Sequence, residues 1–237
     1  MNIEQLSKRL ETVVSYIPRG SKIADIGSDH AYLPCFAVRK GIVESAIAGE
    51  VVKGPYLSAV KQVEDACLQD KIEVRLGNGL EVITPGEVDC ITIAGMGGTL
   101  IASILEEGKG KLTGVKRLVL QPNVSAKSIR IWLLQNDWEL KSEEIIEEDG
   151  KVYEILTADR GEPERPYSNE QQAKELLLGP FLMKARNEAF RKKWMQESAQ
   201  WKNILDNMEK AAQSDALNER KNELKNKIQM VEEVLSK

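Results

Sequence analysis

Residues 138–159 read WELKSEEIIEEDGKVYEILTAD, two runs of alternating apolar and polar residues separated by Asp149-Gly150. Asp-Gly between such runs predicts a tight antiparallel hairpin, because both residues tolerate the left-handed backbone the turn requires. No helical segment separates the two strands, and this sets them apart from everything upstream.

Between residues 21 and 137, short apolar runs alternate with helical ones. SKIADIG (21–27), ESAIAGEV (44–51), KIEVRLG (71–77), VDCITIAG (88–95) and RLVLQP (117–122) read as strands. YLPCFAVRKGI (32–42, closed by Gly41), PYLSAVKQVEDACLQD (55–70), GGTLIASILEEG (97–108) and SAKSIRIWLLQND (125–137) read as helices. Such alternation builds a mostly parallel sheet with helices on both faces and places ligands at the carboxyl ends of the strands. Ahead of it, Leu6, Leu10, Val13, Val14 and Ile17 have the spacing of one helix face. Residues 1–160 are therefore expected to form one α/β domain with a Rossmann-like sheet ending in the antiparallel hairpin. Nucleotide-dependent dehydrogenases usually finish with another parallel strand, whereas class I methyltransferases characteristically finish with this hairpin.

Residues 161–237 read as a second, α-helical domain. RGEPERPYSNEQQ (160–172) has linker composition, and Gly179-Pro180 breaks the helix that follows. Trp194, Ser198, Trp201, Leu205, Met208 and Ala212 then recur at spacings of three and four, as do Leu217, Lys221, Leu224, Ile228, Val231 and Leu235. Ser214 or Asp215 can cap the second helix, so the pair predicts an antiparallel coiled-coil hairpin. It reads either as an oligomerisation or stability element or as an arm that holds substrate. Lys184, Arg186, Arg191, Lys192 and Lys193 crowd its first part beside Phe190 and Trp194, as phosphate-binding residues or as a solvated helical face.

Composition narrows the chemistry. The 237 residues include 42% hydrophobic and 30% charged, with a formal charge of −4, as in a folded water-soluble chain. From Arg160 onward there are 15 Lys/Arg against 13 Asp/Glu, and before it 18 against 24, so a polyanion is expected to meet the C-terminal part first. Cys35, Cys67 and Cys90 are scattered and the single histidine is His30, which argues against a metal site. There is no GxSxG elbow to supply a hydrolase nucleophile. No apolar run approaches the roughly 20 residues of a membrane span, so a cytoplasmic location is expected.

The strand ends carry the candidate site. ADIGSDHAYLP (24–34) lacks the second glycine of GxGxxG, having Asp29 there, and so suits a pyrophosphate poorly. Asp25 and Asp29 instead suit the ammonium and sulfonium of a cationic methyl donor. Glu50 ends the second strand about where an acid accepts from both ribose hydroxyls. Asn78 can read an adenine edge while Gly79 keeps the backbone close, or the pair is simply a turn. Gly95, Gly97 and Gly98 flank Met96 at the end of the fourth strand, letting a flat group approach the main chain.

DIGSDHAYLP, Gly49-Glu50, GNGL, IAGMGG and LQPN, in this order and ahead of a coiled-coil tail, resemble the bacterial TrmK family of tRNA methyltransferases acting on N1 of adenine 22 in the D arm. The resemblance covers nearly the whole chain. It implies a class I methyltransferase fold and S-adenosylmethionine as donor, with no metal. Cofactor contacts would fall to Asp25, Gly27, His30, Glu50, Asn78, Gly79 and the Ala94-Gly95 turn, with Ser28, Val51 and Met96 beside them. For catalysis the candidates are Asp29, to offset the positive charge that methylation creates on the base, Tyr32, to stack on an extruded adenine, and Asn123, to bond its edge. His30 fits better as a cofactor neighbour than as a base, since adenine N1 carries no proton to remove. Expected partners are tRNA, with neither DNA nor membrane, and the expected state is a monomer. Competing readings are a methyltransferase for another RNA, a small molecule or a protein, and a non-catalytic RNA-binding protein.

Overall fold

The computed structural model describes residues 3–209 and 214–236. Seven strands form one sheet in the order β3-β2-β1-β4-β5-β7-β6. They are β1 (Lys22–Ile26), β2 (Ser45–Glu50), β3 (Ile72–Leu76), β4 (Cys90–Gly97), β5 (Arg117–Val124), β6 (Trp138–Glu148) and β7 (Lys151–Arg160). The first five pair in parallel, while β7 pairs antiparallel with both β5 and β6. The hairpin read from residues 138–159 is thus present, its turn made by Asp149 and Gly150 at φ 50° and 75°. Chain order β1 to β4 crosses over at the sheet's centre, which opens a crevice above the carboxyl ends of those two strands.

Side-chain alternation divides the core between the two faces. Ile23, Ala46, Ala48, Cys90 and Val119 pack under α1 (Lys8–Ser15), α2 (Tyr32–Arg39) and α3 (Lys53–Asp65), through Leu10, Val13, Leu33, Val38, Ala59 and Val63. Ala24, Ile91, Ile93, Leu118 and Leu120 pack under α4 (Gly98–Glu107) and α5 (Ala126–Gln135), through Ile101, Leu105, Ile129 and Leu133. The central strands β1, β2, β4 and β5 bury both faces, which is why their apolar residues run continuously rather than alternating with polar ones.

After β7 come α6 (Gln172–Leu178), α7 (Leu182–Ala185), α8 (Glu188–Glu209) and α9 (Asp215–Leu235). Ser214 caps α9 by accepting from the Leu217 N–H at 3.3 Å. Trp194 at the start of α8 shares an apolar cluster with Val231 and Val234 at the end of α9, so the two helices run antiparallel. Lys221, Ile228 and Val231 lie buried on the predicted seam, but near its end Val234 is buried and Leu235 only partly so. Ala212, read as part of the seam, lies outside the described residues. The same cluster reaches Ile145 of β6 through Leu178, Leu182 and Phe190, so the helical tail stands on the hairpin end of the sheet.

Candidate active site

The loop after β1 is built on an unusual backbone. Gly27 has φ 70°, and Asp29, His30 and Ala31 follow in the left-handed region at φ 43°, 68° and 54°. A non-glycine residue there costs about 1–2 kcal/mol, so the loop persists only because other contacts hold it. The Gly27 and Ser28 N–H groups both donate to the Gly49 carbonyl of β2, at 2.9 and 3.2 Å. The Ser28 and Thr92 hydroxyls each donate to the buried Asp25 carboxylate at 2.6 Å. Burial pushes the Asp25 carboxyl above its usual range, and the two hydroxyls partly offset that. Asp25 therefore ties β1, β4 and the loop together at the floor of the crevice.

Glu50 ends β2 with 6% of its surface exposed, and its Oε1 is buried without a hydrogen-bond partner. Burial raises its carboxyl above the usual range; the Asp29 N–H favours the charged form, while the carboxylates of Asp25 and Asp29 disfavour it. A buried carboxylate oxygen without a donor is costly, and a pair of ligand hydroxyls would satisfy it. The ribose clamp expected from the sequence has the chemistry required here.

The crevice has a volume of about 360 Å³. Asp25, Gly27, Ser28, Asp29, Ala94, Gly95, Met96 and Asn123 all border it. The Met96 methyl occupies the space a Cβ on Gly27 would need. Gly95 sits at φ 80° where the β4–β5 register slips between Ala94 and Met96, a bulge that redirects Met96 toward that loop. Asp29 leaves 79% of its side chain exposed, 3.5 Å from His30 Nε2. Tyr32 lies 5.6 Å from the His30 ring, centroid to centroid, and packs against the α2-side core rather than bordering the crevice. Asn78 and Gly79 border a separate hollow of about 110 Å³ beyond Glu50, joined to it by the Gly77 N–H donating to the Glu50 carbonyl at 2.8 Å. Val51 is 63% exposed at the end of β2.

Four crevice residues were missed by sequence reasoning. Arg9 and Leu10 come from α1, Leu33 from α2 and Tyr153 from β7, and Gln121 of β5 bonds to the lining residues Arg9 and Gly95. Gln121 is fully buried, and its Oε1 accepts from Arg9 Nη1 at 2.5 Å and from the Gly95 N–H at 3.0 Å. Its Nε2 donates to Asn123 Oδ1 at 3.3 Å, and Asn123 Nδ2 donates to the Gly95 carbonyl at 2.7 Å. The one signal for Gln121 is a polar side chain ending the apolar run RLVL; Arg9 has none, since it reads as one of several charges on an amphipathic helix. A larger hollow of about 740 Å³ between Pro18, Leu112–Arg117 and Arg160 has its main charges already paired, Arg117 to Asp159 at 2.7 Å. Among the described residues no group of three or more His, Cys, Asp or Glu could hold a metal.

The basic residues of the tail are not equivalent. Lys184 and Arg191 are exposed, Arg186 Nε donates to the Met183 carbonyl at 2.7 Å, and Lys192 pairs with Glu147. Lys193 pairs with the buried Glu154 and leaves only 20% of its side chain exposed.

Comparison with known proteins extends this picture to the whole chain. A family model described as TrmK, tRNA (adenine(22)-N(1))-methyltransferase, matches residues 23–233. The chain is 50% identical over 235 residues, 99% of each chain, to the tRNA (adenine(22)-N(1))-methyltransferase of Bacillus subtilis. The crystal structure of the B. subtilis enzyme superposes with a TM-score of 0.94 over 98% of this chain and 99% of that one. A Streptococcus pneumoniae structure in complex with S-adenosyl-L-methionine is 46% identical, with a TM-score of 0.86 over 98% and 100%. Mycoplasma capricolum TrmK in complex with S-adenosyl-homocysteine is 28% identical, with a TM-score of 0.80 over 98% of both chains. In sequence and fold, this chain belongs to the TrmK family of tRNA (adenine(22)-N(1))-methyltransferases.

Proposed function

We propose that the protein methylates N1 of adenine 22 in tRNA with S-adenosylmethionine as donor. The observation that carries this reading is the buried, partnerless Glu50 Oε1 at the end of β2, in a chain half-identical from end to end to an enzyme of that activity. When bound, the donor supplies a sulfonium methyl that adenine N1 attacks with its in-plane lone pair, the sulfur keeping the electrons of the broken C–S bond.

The chain's own residues then have positional and electrostatic work. Glu50 accepts the ribose hydroxyls, Asp25 holds the loop that receives the amino-acid end, and Gly27, Ser28, His30, Ala94, Gly95 and Met96 shape the walls. Val51 offers an apolar shelf for the donor's adenine, with Asn78 and Gly79 on its far side. No general base is required, so catalysis rests on alignment and on stabilising the cationic product. Asp29 is the carboxylate free to do the latter. Asn123, oriented by Gln121, bonds the edge of the target base, and Tyr32 reaches it only if the loop carrying His30 shifts. Because N1 lies on the pairing edge, the adenine must leave its stack to react.

In this reading residues 1–160 form the catalytic domain and residues 161–237 the arm that grips tRNA, chiefly through Lys184 and Arg191, with Arg186 and Lys192 beside them. The protein acts as a monomer in the cytoplasm. Among the described residues no helix is long and apolar enough to cross a membrane. The test is to incubate pure protein with labelled methyl donor and bulk tRNA and digest to nucleosides. Label in 1-methyladenosine is expected; label in any other nucleoside overturns the assignment.

A further inference from the structure

A second set of charges meets β7 at Glu154, the residue after the crevice-lining Tyr153. Arg130 of α5 is fully buried, donating from Nε to Glu143 of β6 at 2.6 Å and from Nη2 to Glu154 of β7. Its Nη1 reaches the Leu176 and Leu177 carbonyls of α6, both at 3.3 Å. Glu143 also accepts from the Phe181 N–H at 3.0 Å. Glu154 accepts in addition from Lys193 of α8, whose ammonium lies 5.1 Å from the centroid of the Trp194 ring. Gly179, at φ 92°, leaves so little room that a Cβ there would stand 2.7 Å from both Arg130 Nη2 and Glu143 Oε2. Two cations and two carboxylates thus balance inside the joint between sheet and tail.

Burial drives both carboxyls toward neutrality. At Glu154 the charges of Lys193 and Arg130 more than reverse this and hold it below the usual range, while Glu143, facing Arg130 alone, stays above it. The tail thus meets both carboxylates, Glu143 through the Phe181 N–H and Glu154 through the Lys193 ammonium. Its apolar surroundings, Ile145, Leu178, Leu182, Phe190 and Trp194, bury area through a force that has no direction of its own. Directional ion pairs cannot slide without stranding a buried charge.

We infer that the Arg130–Glu143–Glu154–Lys193 network fixes the angle at which the α8–α9 hairpin stands on the catalytic sheet, with Lys193 and Glu154 as positioning residues that bring tRNA held by the tail into line with the crevice. This rests on the reading of the tail as the tRNA-holding arm. Lys193 is the network's only member from the tail, and Glu154, 2% exposed, cannot touch RNA itself.

The experiment places spin labels on the exposed Cys67 and on Asn207→Cys in α8, and measures their distance distribution in the full-length protein without RNA. The same chains, unlabelled, are assayed for donor affinity and for KM and kcat with a tRNA transcript carrying adenine 22. Lys193→Met and Glu154→Gln are each expected to broaden the distribution, raise the tRNA KM at least fivefold and leave donor affinity within twofold. Lys193→Arg is expected to restore a narrow distribution and the tRNA KM. An unchanged distribution in both variants overturns the inference. A raised KM in Lys193→Met alone, with Glu154→Gln like the parent, also overturns it, by making Lys193 a direct RNA contact. A broadened distribution with unchanged tRNA kinetics overturns it through the arm reading on which it rests, leaving methyl transfer itself intact.

Discussion

Two groups of buried carboxylates, at the crevice and at the foot of the tail, differ in one respect. At the crevice, Glu50 has an oxygen with no donor, and Asp25 is held by two hydroxyls but by no cation. At the joint between sheet and tail, Glu143 and Glu154 meet Arg130, Lys193 and a backbone N–H. Both groups are withdrawn from water. The first has bonding capacity left for a ligand, whereas the second has used it within the chain. Open capacity on a buried charge marks a place where something binds, and closed capacity marks a place where elements are held.

The comparison breaks or sharpens under substitution. Glu154→Ala removes a carboxylate shared by two buried cations and is expected to cost about 3–5 kcal/mol of stability, read by denaturant unfolding; a loss under about 1 kcal/mol would erase the distinction. Glu50→Ala should do the reverse. Unfolding of the cofactor-free protein is expected to be unchanged or harder, while calorimetric affinity for S-adenosylmethionine falls roughly 100-fold, about 3 kcal/mol for two charge-assisted hydrogen bonds.

Asp29→Ala leaves the side-chain hydrogen bonds of both groups in place, because its carboxylate faces solvent. Turnover should fall about tenfold, near 1.4 kcal/mol of barrier, with donor affinity within twofold. Equal losses in both would reassign Asp29 to donor binding.

The smallest effect is on pH. Since the Glu50 carboxyl is raised, it takes up its proton above the ordinary glutamate range near pH 4.3. Below that raised value the neutral acid accepts less well, so donor affinity should decline a few-fold as pH falls through the window, and Glu50→Gln should flatten the profile. The cofactor-free fold has the opposite sign: it binds that proton more tightly than the unfolded chain, so it gains stability on acidification through the same window.

How much was legible in the sequence follows the same division. The alternation of strands and helices, the hairpin and the glycine-marked strand ends are local patterns, and each element appears within a few residues of its expected place. Glu50, Asp25 and Asn123 could be singled out beforehand because a strand's carboxyl end is a position the chain order defines. Arg9 and Tyr153 were not, since they reach the crevice from a helix and a strand distant in sequence. The left-handed run Asp29–His30–Ala31 gave no sign of itself, because non-glycine residues do not announce a positive φ. The pairing of Lys193 was hidden in the same way: a charge run shows which residues are basic, and only packing shows which of them meets a buried carboxylate.

The strand order carries a consequence for how the protein is made. β5 pairs with β7, and β6 pairs only with β7, so β6 leaves the ribosome before any partner for it exists. It stays unpaired until synthesis passes residue 160, and Ile145 and Glu143 wait longer still, for Leu178, Leu182 and Phe181 of the tail. During vectorial synthesis the five parallel strands can assemble while the edge waits, which makes residues 138–148 the segment most in need of a chaperone on a nascent chain.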